Sequence, residues 1–153
     1  MTRLILLALS AAVAAGILFV NLYTSIVDAP NWGADLPNSI IVTREYFAAA
    51  NPGTFFRIMS PLNQVLALIV VIICWKKNRY LALTSLAVAV LIDVFTFGYF
   101  YPRNDIMFVL PINQDAIREA WQQWSTMNWL RSAVCMINVV LAFVLVILNS
   151  RKS

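Results

Sequence analysis

Four apolar runs limit what this chain can fold into: residues 4–27, 58–75, 80–101 and 129–148. A bilayer's hydrocarbon core takes roughly 20 mostly apolar residues of helix to cross. The second run is the shortest, but it ends in the unbroken apolar stretch 65–75. None of the runs alternates polar with apolar residues, so a closed barrel is excluded. Of the 153 residues, 61% are hydrophobic and 12% charged. A soluble domain is about 45–50% apolar and about 25% charged, and a small one cannot hide such an excess. The excess faces lipid. The sequence therefore predicts an all-α membrane protein: four transmembrane helices in a bundle, one integral domain over 1–153, with external segments 28–57 and 102–128.

The opening Met1-Thr2-Arg3 and the Ala12-Val13-Ala14 within the first run have a signal-peptide cast, but we read the run as a retained first span. Orientation follows from Lys and Arg. Lys76, Lys77 and Arg79 join the second and third spans, and Arg3, Arg151 and Lys152 lie on the same side. The other side carries arginines but no lysine, offset by Asp28, Asp35, Glu45, Asp105, Asp115 and Glu119. Both termini are predicted to be cytoplasmic.

Pro37-Asn38-Ser39 reads as a helix start and Asn51-Pro52-Gly53 as a stop, which predicts a short external helix over 40–50. All six prolines fall outside the spans or at their outer boundary. After Pro111 there is no Pro or Gly, Asn113 can cap a helix, and Asp115 suits its first turn. The fourth helix is therefore expected to run about 36 residues, or about 54 Å. It then stands well above the membrane and makes the outside a structured cap.

Composition also removes function classes. Histidine is absent, and with it the usual general base and the commonest metal ligand. Cys74 and Cys135 form no metal motif and lie too far apart along the spans to bridge. No cofactor or metal is expected. The lack of a basic stripe with interleaved aromatics argues against nucleic acid as a partner. The two halves do not match as an inverted repeat, against a secondary transporter.

The polar residues are sorted by depth. Asn21, Asn63, Gln64, Asp93, Asn128, Arg131 and Asn138 occupy the outer half of the spans, whereas the inner half holds only Ser10, Thr84 and Ser85. A conduction path needs polar groups right across, so this pattern favours a pocket with one mouth over a channel or pump. Phe55, Phe56, Phe97, Phe100, Tyr101 and Trp124 crowd that mouth and suit a flat hydrophobic or phenolic molecule.

Asp93 is a functional candidate because an intramembrane carboxylate is costly; the alternative is a neutral or paired group that fixes helix packing. Asn128, Arg131, Cys135 and Asn138 share one helical face. Arg131 can pair with Asp93, hold an anionic ligand or snorkel to the interface. Asn21 and Asn63 read as interhelical glue or as ligand contacts. Trp121, Trp124 and Asn128 form a series that suits cap packing more than a cofactor box.

Two stretches resemble a known family. Thr96-Phe97-Gly98-Tyr99-Phe100-Tyr101-Pro102-Arg103-Asn104 is similar to a threonine, apolar run and Pro-x-Asn of the anthrone-oxygenase-like small membrane proteins. Trp124-Ser125-Thr126-Met127-Asn128-Trp129-Leu130-Arg131 resembles that family's Trp-x3-His-x2-Arg, with Asn128 in place of the histidine. The resemblance implies four helices and, by position, a site containing Asn104, Trp124 and Arg131. It also implies oxygenation of anthrones to anthraquinones without an obvious cofactor, here on an acidic carbon of a polycyclic phenol. Since an amide takes no proton at neutral pH, Asp93 is the candidate base, with Arg131 and Asn104 stabilising an enolate. Asn128, Asn63, Asn138, Trp124, Phe97 and Tyr101 are the candidate ligand contacts. The competing readings are an accessory subunit of a larger membrane complex, docking through the cap and the fourth helix, and a non-catalytic binder of a lipid or quinone. A bacterial cytoplasmic membrane is the expected location.

Overall fold

A computed structural model describes residues 1–150. Seven α-helices and no strand are found among them: α1 (Thr2–Tyr23), α2 (Ala29–Gly33), α3 (Asn38–Tyr46), α4 (Pro52–Cys74), α5 (Arg79–Phe95), α6 (Tyr101–Phe108) and α7 (Gln114–Ser150). Four helical runs are long and apolar enough to cross a membrane: Thr2–Gly33, Pro52–Cys74, Arg79–Phe108 and Gln114–Ser150. α1 packs on α4 and α7, and α5 packs on the same two helices, so the bundle closes in the order α1, α4, α5, α7. The outward faces remain apolar, with Phe19, Ile72, Val94 and Ile137 each more than half exposed, as lipid contact requires.

Two of the runs are continuous through a π turn. Thr24–Asp28 joins α1 to α2, and Thr96–Phe100 joins α5 to α6. Each turn ends two residues before a proline, Pro30 and Pro102. Proline cannot donate to the carbonyl four residues back and crowds it. A turn widened to i→i+5 bonding carries the helix past that point, with the N–H groups of Ala29 and Tyr101 donating to the carbonyls of Thr24 and Thr96. The prolines expected at the membrane boundary thus sit inside rods that continue into the cap.

Asn51-Pro52-Gly53 also differs from expectation. The external helix ends at Tyr46, before this triplet, and the triplet starts α4 instead. The Asn51 side chain accepts from the Thr54 N–H at 3.1 Å, and the Thr54 hydroxyl faces the Asn51 N–H at 3.3 Å. Pro52 takes the first helical position, where its missing N–H costs nothing. The helix carrying the second span therefore begins six residues before the apolar run at 58. α7 is unbroken over 37 residues, about 55 Å, and Asn113 caps it by accepting from Ala116 N–H at 3.1 Å.

The core has three layers. The first, at the end that carries Lys76 and Lys77, packs Leu7, Val70, Val71, Cys74, Ala82 and Leu145. The middle layer holds Ala14, Ile17, Leu18, Phe56, Ile92, Cys135 and Val139. The cap layer gathers Ala29, Trp32, Ile40, Phe100, Met107, Ile117, Ala120 and Trp124. This end of the molecule thus has a core of its own. Gly33 makes it possible: a Cβ there would meet the Trp121 ring at 2.1 Å, so only glycine lets α2 lie this close to α7. Arg3 donates to Asn149 at 2.5 Å, bringing the N-terminal end of α1 to the C-terminal end of α7 beside the α4–α5 turn. Arg151 and Lys152 lie outside the described residues.

Candidate functional site

The face of α7 picked out by spacing is buried along its length. Asn128 and Arg131 are 0% and 4% exposed, and Cys135 and Asn138 are 1% and 3% exposed. Asn128 ties α7 to the π turn after α1. Its amide nitrogen donates to Ser25 Oγ at 2.7 Å, Thr24 Oγ1 at 3.1 Å and the Asn21 carbonyl at 3.2 Å. Its amide oxygen accepts from Arg131 Nη2 at 2.6 Å. The asparagine therefore uses both ends of its amide, one to hold the bundle and one to aim a cation.

Arg131 sits among rings. Its guanidinium carbon lies 3.9 Å from the Phe100 centroid and 5.1 Å from that of Phe56, an arrangement that stabilises a cation electrostatically. It is not bonded to Asp93, which accepts from Gln64 and Ser60, side chains of α4. Asp93 joins α5 to α4 at mid-bundle, about one helical turn before Thr96.

Arg131 faces a cavity of about 340 Å³ at the cap end of the bundle. Trp32, Phe56, Phe100 and Trp124 line it, with Phe47, Tyr101 and Phe108 completing an aromatic wall. The Trp32 and Trp124 rings meet edge-on at 5.0 Å, and Phe100 meets Trp124 at 5.6 Å. Polar groups on the same wall are Thr24, Asn51, Thr96, Asn104, Asp105 and three arginines, Arg44, Arg57 and Arg131. Arg44 donates to the carbonyls of Met107 at 2.9 Å and Ile106 at 3.5 Å, hooking α3 to α6.

Four buried side-chain polar atoms have no hydrogen-bond partner among the described residues: Asn21 Oδ1, Asn104 Oδ1, Trp124 Nε1 and Arg131 Nε. Three of the four belong to residues of the cavity wall. A buried polar group without a partner costs about 1–3 kcal/mol, more if charged. The three atoms are themselves closed off, just behind the cavity surface, so a ligand reaches them only as the wall side chains turn.

The structure brings together Tyr101, Asn104, Trp124 and Arg131 from the sequence candidates. Asn128 lies directly behind Arg131. Asp93, Asn63, Asn138 and Phe97 lie off the wall. Asn63 is buried in the bundle, Asn138 accepts from Ser85 at 3.1 Å, and Phe97 is exposed, stacked on Tyr101 at 5.2 Å. Trp32, Arg44, Phe47, Arg57 and Phe108 were not legible as site residues. They come from cap segments with no periodic signal, and only the tertiary fold brings them to the wall. Cys74 and Cys135 are both free and buried. No family model, no curated protein and no solved structure matches this chain. The geometry of the site therefore carries its interpretation.

Proposed function

We propose that this integral membrane protein takes a hydrophobic or phenolic small molecule into its cap-end cavity, which opens to the outer side of a bacterial cytoplasmic membrane. One observation carries the reading. Tyr101 and Asn104 of α6 and Trp124 and Arg131 of α7 line one cavity together with Trp32, Phe47, Phe56, Phe100 and Phe108. Orientation is supported by charge: Arg3, Lys76, Lys77 and Arg79 share the opposite end with no carboxylate in those stretches of sequence.

The resemblance to anthrone-oxygenase-like proteins adds a reaction class to this proposal. A carboxylate removes a proton from the acidic carbon of a polycyclic phenol, and dioxygen oxidises the resulting enolate to the ketone with water as the second product. Asn104 and Arg131 on the wall are placed to hold the enolate oxygen. Asp93 lies off that wall, one turn below Thr96, so the substrate's acidic carbon has to reach past Thr96 to meet the base.

The test is purification in mild detergent at native expression, with mass spectrometry of everything that accompanies the chain. A bound polycyclic phenol or quinone, without stoichiometric foreign chains, is the expected result. Stoichiometric partner chains with no bound small molecule would overturn the reading in favour of an accessory subunit of a membrane complex.

A further inference from the structure

Beyond shape, the cavity wall has a charge imbalance. Arg44, Arg57 and Arg131 face a single carboxylate, Asp105, which is itself exposed. Arg44 spends its bonds on backbone carbonyls and Arg131 on the Asn128 amide. Neither has a carboxylate partner among the described residues. Desolvating an arginine without a counter-ion is expensive, and Arg131 is nearly wholly buried.

The unpartnered atoms add direction. Arg131 Nε and Trp124 Nε1 are donors in want of an acceptor, and Asn104 Oδ1 is an acceptor in want of a donor. A hydrocarbon satisfies none of them. A simple neutral phenol can give its proton to Asn104 but brings no charge to Arg131. The volume, about 340 Å³, is at the small end of the range for ligand pockets, about 300–1,000 Å³. Resting on the reading of this cavity as a binding site, we infer that its ligand is a compact aromatic anion, a hydroxyaryl carboxylate or its equivalent. On binding, the wall side chains turn so that the carboxylate accepts from Arg131 and Trp124 and the hydroxyl donates to Asn104, while the rings lie against Phe100, Phe56 and Trp32. Asn128 holds Nη2 of the guanidinium, while Nε has no protein partner.

Isothermal titration of the full chain in detergent micelles with a hydroxynaphthoate, its methyl ester and decanoate tests this. Charge-assisted hydrogen bonds are about twice as strong as neutral ones, and each 1.4 kcal/mol is tenfold in affinity. The hydroxynaphthoate is expected to bind about tenfold to a hundredfold tighter than the ester and at least about tenfold tighter than decanoate. Arg131→Gln should remove the preference over the ester. The comparison of acid with ester uses the unaltered protein, so it stands even if that variant fails to fold. Equal affinity for acid and ester would overturn the anion while leaving the pocket in place. Equal affinity for decanoate would overturn the aromatic class. Binding of none of the three would remove the pocket reading itself.

Discussion

The approach of α2 to α7 at Gly33 gives the sharpest test of the cap. A Cβ added at Gly33 would lie 2.1 Å from Trp121 Cζ2 and 2.3 Å from Cε2, well inside van der Waals contact. The ring cannot swing aside freely, because Trp121 Nε1 donates to the Ala29 carbonyl at 2.7 Å. Gly33→Ala therefore forces either a shift of α2 or the loss of that bond. Overpacking of this kind costs about 1–3 kcal/mol, and the bond adds about 0.5–1.5. We expect a destabilisation of about 2–4 kcal/mol, read by titration with SDS in mixed micelles using tryptophan fluorescence. Trp121→Ala empties the space that the new methyl needs. In that background Gly33→Ala should cost less than about 0.5 kcal/mol, so the two sites are strongly coupled. If Gly33→Ala alone stays within about 0.5 kcal/mol of the unaltered chain, the helices do not pack as described.

Other expectations follow from the buried network. Asn128→Ala removes the bond to Arg131, worth about 1.5–3 kcal/mol as a bond to a charged group, and the interhelical bonds of its two amide N–H groups at about 0.6 kcal/mol each. The same SDS titration should show a loss of about 3–4 kcal/mol, and a change under about 1 would mean the network contributes little. Asp93→Asn keeps an acceptor for Gln64 and Ser60, so the fold should survive while aerobic turnover of an anthrone disappears; undiminished turnover would remove Asp93 as the base. Orientation is read by a membrane-impermeant thiol reagent on intact cells, with Cys74 and Cys135 replaced by Ser. Gln122→Cys should label and Lys77→Cys should not; the reverse pattern inverts the topology.

The spans were readable because the chain's apolar runs are long and unbroken, and length decides what crosses a bilayer. α7 was readable to within a residue because neither Pro nor Gly interrupts it and Asn113 supplies a start. Proline was the ambiguous sign. Pro52 opens a helix, while Pro30 and Pro102 are carried within helical runs by the π turns before them. The residue type fixes the backbone angle and removes a donor in all three cases, and only the neighbouring carbonyls decide the outcome. At the site, helical spacing correctly grouped Asn128, Arg131, Cys135 and Asn138 on a buried face. The aromatic residues of the cap carry no such period. Trp32, Phe47 and Phe108 meet through tertiary contacts between segments far apart in the chain, which local patterning does not encode.

The bonding of Arg44 determines how the cap is anchored around the cavity. α7 contributes Trp124 and Arg131 from the interior of one uninterrupted rod, and α4 contributes Phe56 from another. Those walls are a fixed frame, since moving them means tilting a membrane-spanning helix. α3 and α6 are short, and the Arg44 side chain fastens one to the carbonyls of the other. α6 continues α5 through its π turn, so Arg44 ties α3 to the end of a third long rod, and the cap is anchored to the bundle on this side too.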